Sequence, residues 1–242
     1  VAVATNLGFP RIGLRRELKH SLEDFWAGKI GAPVLLAAAR QLRARHWQLQ
    51  RESEIAHIPS NDFSLYDHVL DTALMVGSVP PRYGSLRSDP VQQYLAMARG
   101  LQDGSLDLPA MEMTKWFDTN YHYIVPEFSP GMSFALASTN PVDEFLEAKA
   151  LGIPTRPVLL GPVSFLLLGK MSGGKFPLVL LDALLLVYEV LLAELGRVGA
   201  LWVQIDEPSL VLDLPDDAQS AFASAYKRLS HAARCPNLLL TT

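Results

Sequence analysis

Four clusters in this sequence carry residue types that could do chemistry. Arg15, Arg16, Lys19 and His20 fall together where a helical pattern begins. Cations in a first helical turn oppose the macrodipole, by about 0.3–1 kcal/mol each when exposed, unless an anion sits among them and the free N–H groups. The cluster is therefore either an anion site or a solvated helix end paired with Glu17, Glu23 or Asp24. Between Glu112 and Tyr123, strand alternation sets Glu112 and Thr114 on one face and Met113 and Lys115 on the other. A lysine on a buried strand needs a carboxylate partner or a ligand. His122, between Tyr121 and Tyr123, reads as a packed, hydrogen-bonded histidine and not as a metal ligand. Asp206 and Glu207 close an apolar run before Pro208. Paired carboxylates can do acid/base work or hold a cation. Neighbours on a strand point to opposite faces, however, so these two share a ligand only if Pro208 bends the chain. The last cluster, Gly169 to Lys175, resembles a phosphate loop. Phe176 stands where such a loop needs Ser or Thr for Mg²⁺, which excludes nucleotide binding there.

Composition narrows the setting. Hydrophobic residues make up 49% of the 242 and charged residues 19%, so a sizeable core is expected. With 21 basic and 25 acidic side chains the formal charge is −4, which argues against a nucleic-acid binder driven by global charge. Cys235 is the only cysteine, so neither a disulfide framework nor a multi-cysteine zinc site can be built from this chain. Residues 1–9 show no basic, then apolar, leader pattern. The most apolar stretch, 178–195, is interrupted by Asp182, Glu189 and Glu194, whereas a membrane span needs roughly 20 largely uncharged residues. The expectation is a soluble, cytoplasmic protein with no nucleic-acid or membrane partner.

These clusters must be positioned by alternating elements. Strand patterns cover 6–10, 111–117, 156–168, 201–205 and 237–242. Helical patterns cover 16–26, 34–51, 61–76 (with Asp62 as cap), 142–151 (stopped by Gly152), 178–198 and 218–229, and a loop covers 80–88. In the first helix Leu18, Leu22, Phe25 and Trp26 recur at i, i+4, i+7 and i+8, one apolar face. Alternation without a hairpin signal implies parallel crossovers, as in a doubly wound sheet or a (β/α)8 barrel. Arg11, Lys115, Asp206 and Glu207 at strand ends favour the barrel, whose functional groups gather at that rim. No glycine fingerprint supports the dinucleotide alternative. About five strand–helix units are found, and the apolar run reaching Thr242 suggests an incomplete barrel over 1–242. Open sheet edges would then make the isolated chain unstable or prone to association.

Several blocks, in order along the whole chain, resemble cobalamin-independent methionine synthase. They are Asn6 to Lys19, Asp62 to Val69, Glu112 to Tyr123, Pro157 to Pro162 and Gln204 to Pro208. The likeness is to the N-terminal of that family's two barrels, a degenerate copy of the catalytic one. It implies methyl transfer from 5-methyltetrahydrofolate polyglutamate to homocysteine, with zinc held by His, Cys, Glu and Cys in the C-terminal barrel. By the same resemblance Arg16, Glu17, Leu18, Lys19 and Lys115 bind the folate substrate, most plausibly its glutamate tail. No catalytic residue and no metal ligand carries over. The chain alone is expected to be inactive, to bind no cofactor, and to have the C-terminal catalytic domain and the folate as partners. Asp206 and Glu207 become a relic of duplication or a structural pair. Two other functions stay open: a ligand-free docking domain, and a self-sufficient single-barrel hydrolase or lyase using Asp206 and Glu207.

Overall fold

The structure, a computed structural model, describes residues 3–242. Helices are α1 (Glu17–Trp26), α2 (Ala32–Glu52), α3 (His68–Met75), α4 (Pro90–Arg99), α5 (Asn140–Ala150), α6 (Pro162–Leu167), α7 (Leu181–Arg197) and α8 (Asp216–Leu229). Strands are β1 (Ile58–Ser60), β2 (Leu101–Gln102), β3 (Asp107–Leu108), β4 (Met113–Lys115), β5 (His122–Ile124), β6 (Glu127–Phe128), β7 (Thr155–Leu160), β8 (Lys170–Met171), β9 (Trp202–Asp206) and β10 (Asn237–Thr241). The organising sheet has the order β1-β7-β9-β10, all parallel. Helices alternate with its strands, which makes it part of a (β/α)8-type wall, the expected fold class.

One face of this sheet is apolar because α7 covers it. Leu184, Leu185, Tyr188, Leu191, Leu192 and Leu195 form a helical stripe and pack with Val203 and Ile205 of β9 and Phe222 and Leu229 of α8. The opposite face is polar and is covered by the N-terminal segment. Arg156, 2% exposed, donates to Thr5 Oγ1 at 2.8 Å, to the Asn6 carbonyl at 2.7 Å and to Gln204 Oε1 at 2.5 Å. Gln204 in turn donates to the Leu7 carbonyl at 3.0 Å. A buried guanidinium is tolerable only when it is hydrogen-bonded in this way. A second core joins Leu18 and Leu22 of α1, Leu35 and Leu42 of α2, and Met97 of α4.

Several expected elements change. The segment 6–10 is no strand; the only ladder contact there is a parallel bridge from Thr5 to His57. Its hydrogen bonds go to side chains of the sheet instead. β1 lies within a stretch that carried no strand expectation, for it is only three residues long and its burial comes from α2, where Trp47 donates to the Pro59 carbonyl. The helix expected over 61–76 is confined to α3 and is capped by Asp67, whose carboxylate accepts from Val69 and Leu70 N–H. Asp62 instead accepts from Phe9 N–H at 2.7 Å. The 156–168 run divides at Gly161-Pro162 into β7 and α6, and α4 follows the 80–88 loop, itself partly a 3-10 turn. The largest correction concerns 111–117: β4 pairs antiparallel with β5, Lys115 opposite His122. Lys115 therefore ends no barrel strand. The six-residue connection 116–121 hid the hairpin, since it lacks the short Gly-containing turn that signals one.

Candidate functional site

The turn into α1 is built by the residues between Gly13 and Leu18. Arg16 N–H donates to the Gly13 carbonyl, and Arg16 itself takes a left-handed conformation, φ 61°, just before the helix. Glu17 accepts from Arg15 N–H and from Arg45, both at 2.8 Å. Hydrogen bonds from its own backbone N–H and from Arg45 hold its carboxyl down at about 2. Leu18 is fully buried in the α1/α2/α4 core. Of the four-residue run, Glu17 and Leu18 thus shape the turn, while Arg16 and Lys19 are exposed. Arg16 precedes the helix, in a left-handed turn, whereas Lys19 lies within it.

Beside α1 lies a groove of about 370 Å³. Lys19, Glu23 and Trp26 of α1 form one wall, Met113 and His122 of the hairpin another, and Arg99 at the end of α4 a third. Lys115 is exposed, which corrects the expectation of a buried lysine in need of a partner. It is two residues from Met113 and opposite His122, so it shares the hairpin face that meets the groove. The hairpin, not a barrel rim, brings Lys115 towards Lys19. Arg16 does not line the groove. Lys19 has one weak restraint, Glu23 at 3.6 Å on the same helix face.

A second cavity, about 460 Å³, opens at the C-terminal ends of β1, β7 and β9, where (β/α)8 folds place their chemistry. It is lined by Arg11, Asp62, His68, Asp71 and Asp206 among others. Burial pushes Asp62 up to about 6 and Asp71 to about 7, and it also raises Asp206. Burial, with Arg11 nearby, pushes His68 down to about 4. Asp62 and Asp71 therefore titrate close to neutral pH, while the His68 imidazole stays uncharged there. Sequence reasoning singled out Arg11 and Asp206 as strand-end residues and Asp62 as a helix cap, but gave His68 and Asp71 no role. The available signal was a set of acids, Asp62, Asp67 and Asp71, interrupting an otherwise apolar stretch.

Asp206 and Glu207 diverge. Asp206 faces the cavity, held by Gln204 and Thr241. Glu207 is fully buried on the other side and accepts from Ser164 N–H at 2.7 Å, Val163 N–H at 3.2 Å and Tyr226 Oη at 2.7 Å. It caps the start of α6, and a Cβ on Gly161 would overlap its carboxyl group. The pair cannot act on one substrate atom. In the loop resembling a phosphate site, Lys170 is bound to Glu112 at 2.6 Å. His122 Nδ1 donates to the Asn120 carbonyl at 3.1 Å, and the ring is exposed, not packed as its aromatic neighbours suggested.

Comparison with known proteins shows the family. The family profile described as cobalamin-independent synthase, N-terminal domain, matches residues 3–242. The chain belongs to the cobalamin-independent methionine synthase family. It is 58% identical over 243 residues to the 5-methyltetrahydropteroyltriglutamate–homocysteine methyltransferase of Xylella fastidiosa (strain M23), covering all of this chain and 32% of that protein. The enzyme of the same description from Caulobacter vibrioides is 56% identical over 259 residues, with 33% of it covered. The chain thus spans about a third of the length of these relatives. In fold it resembles the B12-independent methionine synthase of Shewanella sp. W3-18-1, solved with selenomethionine, at a TM-score of 0.60 and 14% identity, covering 88% of this chain and 53% of that one.

A zinc site of the kind that the sequence resemblance implies does not fit the residues present. Among the described residues no group of three or more His, Cys, Asp or Glu side chains could hold a metal ion. The one thiol, Cys235, is pushed up by burial, the opposite of what a thiolate ligand needs. No described helix is long and apolar enough to cross a membrane.

Proposed function

We propose that this chain supplies the folate-tail site of a methyltransferase that moves a methyl group from 5-methyltetrahydropteroyl polyglutamate to homocysteine. The zinc-dependent methyl transfer itself belongs to a C-terminal catalytic domain outside these residues, and this chain alone is inactive. The observation that carries the reading is the groove between α1 and the β4–β5 hairpin, with exposed Lys19 on one side and Lys115 on the hairpin face meeting the other. A γ-linked glutamate tail is a flexible run of carboxylates, and cations set on two separate elements suit it. Glu17 and Leu18 serve the site by fixing the turn that aims Lys19, and Arg16 adds positive charge before the helix. Exposed charge pairs of this kind contribute on the order of 1 kcal/mol and are screened by salt.

The test is kinetics on the full-length enzyme with Lys19→Ala and Lys115→Ala, using mono- and triglutamate folates at two salt concentrations. Each variant is expected to raise KM for the triglutamate about fivefold with kcat largely retained, the signature of lost uniform binding. The penalty should shrink with the shorter tail and with added salt. Equal losses on both substrates, or a fall in kcat alone, would remove these lysines from tail recognition.

A further inference from the structure

The groove holds a third cation that neither the sequence motifs nor the proposed function uses. Arg99, the last residue of α4, is exposed, and its guanidinium carbon lies 4.0 Å from the centre of the Trp26 ring. The other cations of the groove are occupied. Arg11 donates to the Ser64 and Leu65 carbonyls at 2.8 and 3.0 Å, and Lys19 faces Glu23. Arg99 has no hydrogen bond from its side chain and no ion pair among the described residues. A basic residue in the last helical turn is favoured by the macrodipole. That preference does not explain why the guanidinium lies over an indole.

Stacking has a specific consequence. A guanidinium held face-on to a ring keeps its N–H donors in their own plane, free and pre-aligned for the two oxygens of a carboxylate. Much of the rotamer freedom of a long side chain is then lost before a ligand arrives. Trp26 offers its ring face to Arg99, while its indole N–H is buried and has no partner among the described residues. Glu23 is the only carboxylate among the lining residues, and it is already engaged by Lys19.

We infer that Arg99, set on Trp26, is a carboxylate-binding subsite that lengthens the groove, so that it favours γ-linked oligoglutamates over a single glutamate. This rests on reading the groove as the folate-tail site. Lys19 and Arg99 stand on different helices and Lys115 on a hairpin, so successive carboxylates of one tail meet separate cations. Arg99 contacts the ligand; Trp26 is a positioning residue acting through it.

The experiment is equilibrium binding of mono- and triglutamate 5-methyltetrahydrofolate to the full-length protein, by calorimetry. The variants are Arg99→Gln, Arg99→Lys, Trp26→Leu, Trp26→Phe and Lys19→Ala, each checked by thermal melting. Arg99→Gln is expected to weaken triglutamate binding on the order of fivefold and monoglutamate binding much less. Arg99→Lys should recover only part of the loss, having no planar fork. Trp26→Leu should mimic Arg99→Gln, and Trp26→Phe, which keeps an aromatic face, should rescue it. If Lys19→Ala depends on tail length and Arg99→Gln does not, the inference fails and the tail reading stands. If neither variant depends on tail length, both fall together.

Discussion

The groove and the cavity are adjacent, with Arg11 and Tyr121 lining both, yet their charges behave in opposite ways. Lys19 and Arg99 in the groove, and Lys115 on the hairpin face that meets it, are exposed and can meet an arriving anion at little desolvation cost. In the cavity, Asp62, Asp71 and Asp206 are enclosed, and burial draws their titration up towards neutrality. Charge counted along the chain would call both regions strongly charged. The contrast separates an exposed basic surface from an interior that stores unfavourable ionisation, and each side of it can be broken by mutation.

The largest effect is expected beneath the cavity, at Arg156. Replacing it with Leu leaves Gln204, Thr5 and the Asn6 carbonyl without their donor, and leaves Asp206 and Asp62 without the cation nearest them. Removing one partner from a buried polar network costs about 3–5 kcal/mol. Urea unfolding of Arg156→Leu should show a loss of that order. A change near zero would mean that the network does not pin the N-terminal segment to the sheet.

A smaller effect, pH-dependent in sign, is expected at Asp71. Its carboxyl rises from 3.8 to about 7 on folding, so between these values the folded protein keeps a proton that the unfolded chain has lost. The stability due to this group is therefore full below pH 3.8 and is lost as the pH rises through about 7. Asp71→Asn removes that slope. Relative to the parent, the variant should gain on the order of 1–3 kcal/mol on going from pH 5 to pH 8, read from paired urea titrations. A parallel shift at both pH values would show that the carboxyl titrates normally.

The smallest effect sharpens the other side of the comparison. Glu23→Gln releases Lys19 from its only carboxylate, an exposed pair 3.6 Å apart. Such i, i+4 pairs are worth about 0.3–0.5 kcal/mol, so triglutamate should bind roughly twofold tighter at low salt, with the gain fading as salt is added. Weaker binding would mean that Glu23 holds Lys19 in its useful position and does not compete with the ligand.

How much of this was legible beforehand depended on distance along the chain. The α1, α2, α7 and α8 patterns are local, repeat every 3.6 residues and appear where expected, within a few residues. β9 and β10 were legible for a related reason, as continuous apolar runs suit strands of a covered parallel sheet. β1 was not legible, being three residues long and buried by a helix whose docking no local pattern announces. The hairpin was not legible either, because a six-residue connection carries little turn chemistry. Lys19 and Lys115 were legible as candidate cations from their motifs, but the element that carries Lys115 was misread, since β4 belongs to an antiparallel hairpin and not to a barrel wall.

The sequence by itself determined the helical amphipathicity, the alternation that makes a (β/α)8-type wall, and the motif blocks that mark the family. These depend on residue type and spacing over a few turns, where backbone geometry leaves few choices. Tertiary structure alone decided that Glu207 caps α6 while Asp206 faces the cavity. It also decided that Arg99 rests on Trp26, and that burial pushes the Asp71 carboxyl up to about 7. Each of these follows from what long-range folding packs around a side chain. Burial and partners, not residue identity, set the charge a group carries and the direction in which its hydrogen bonds point.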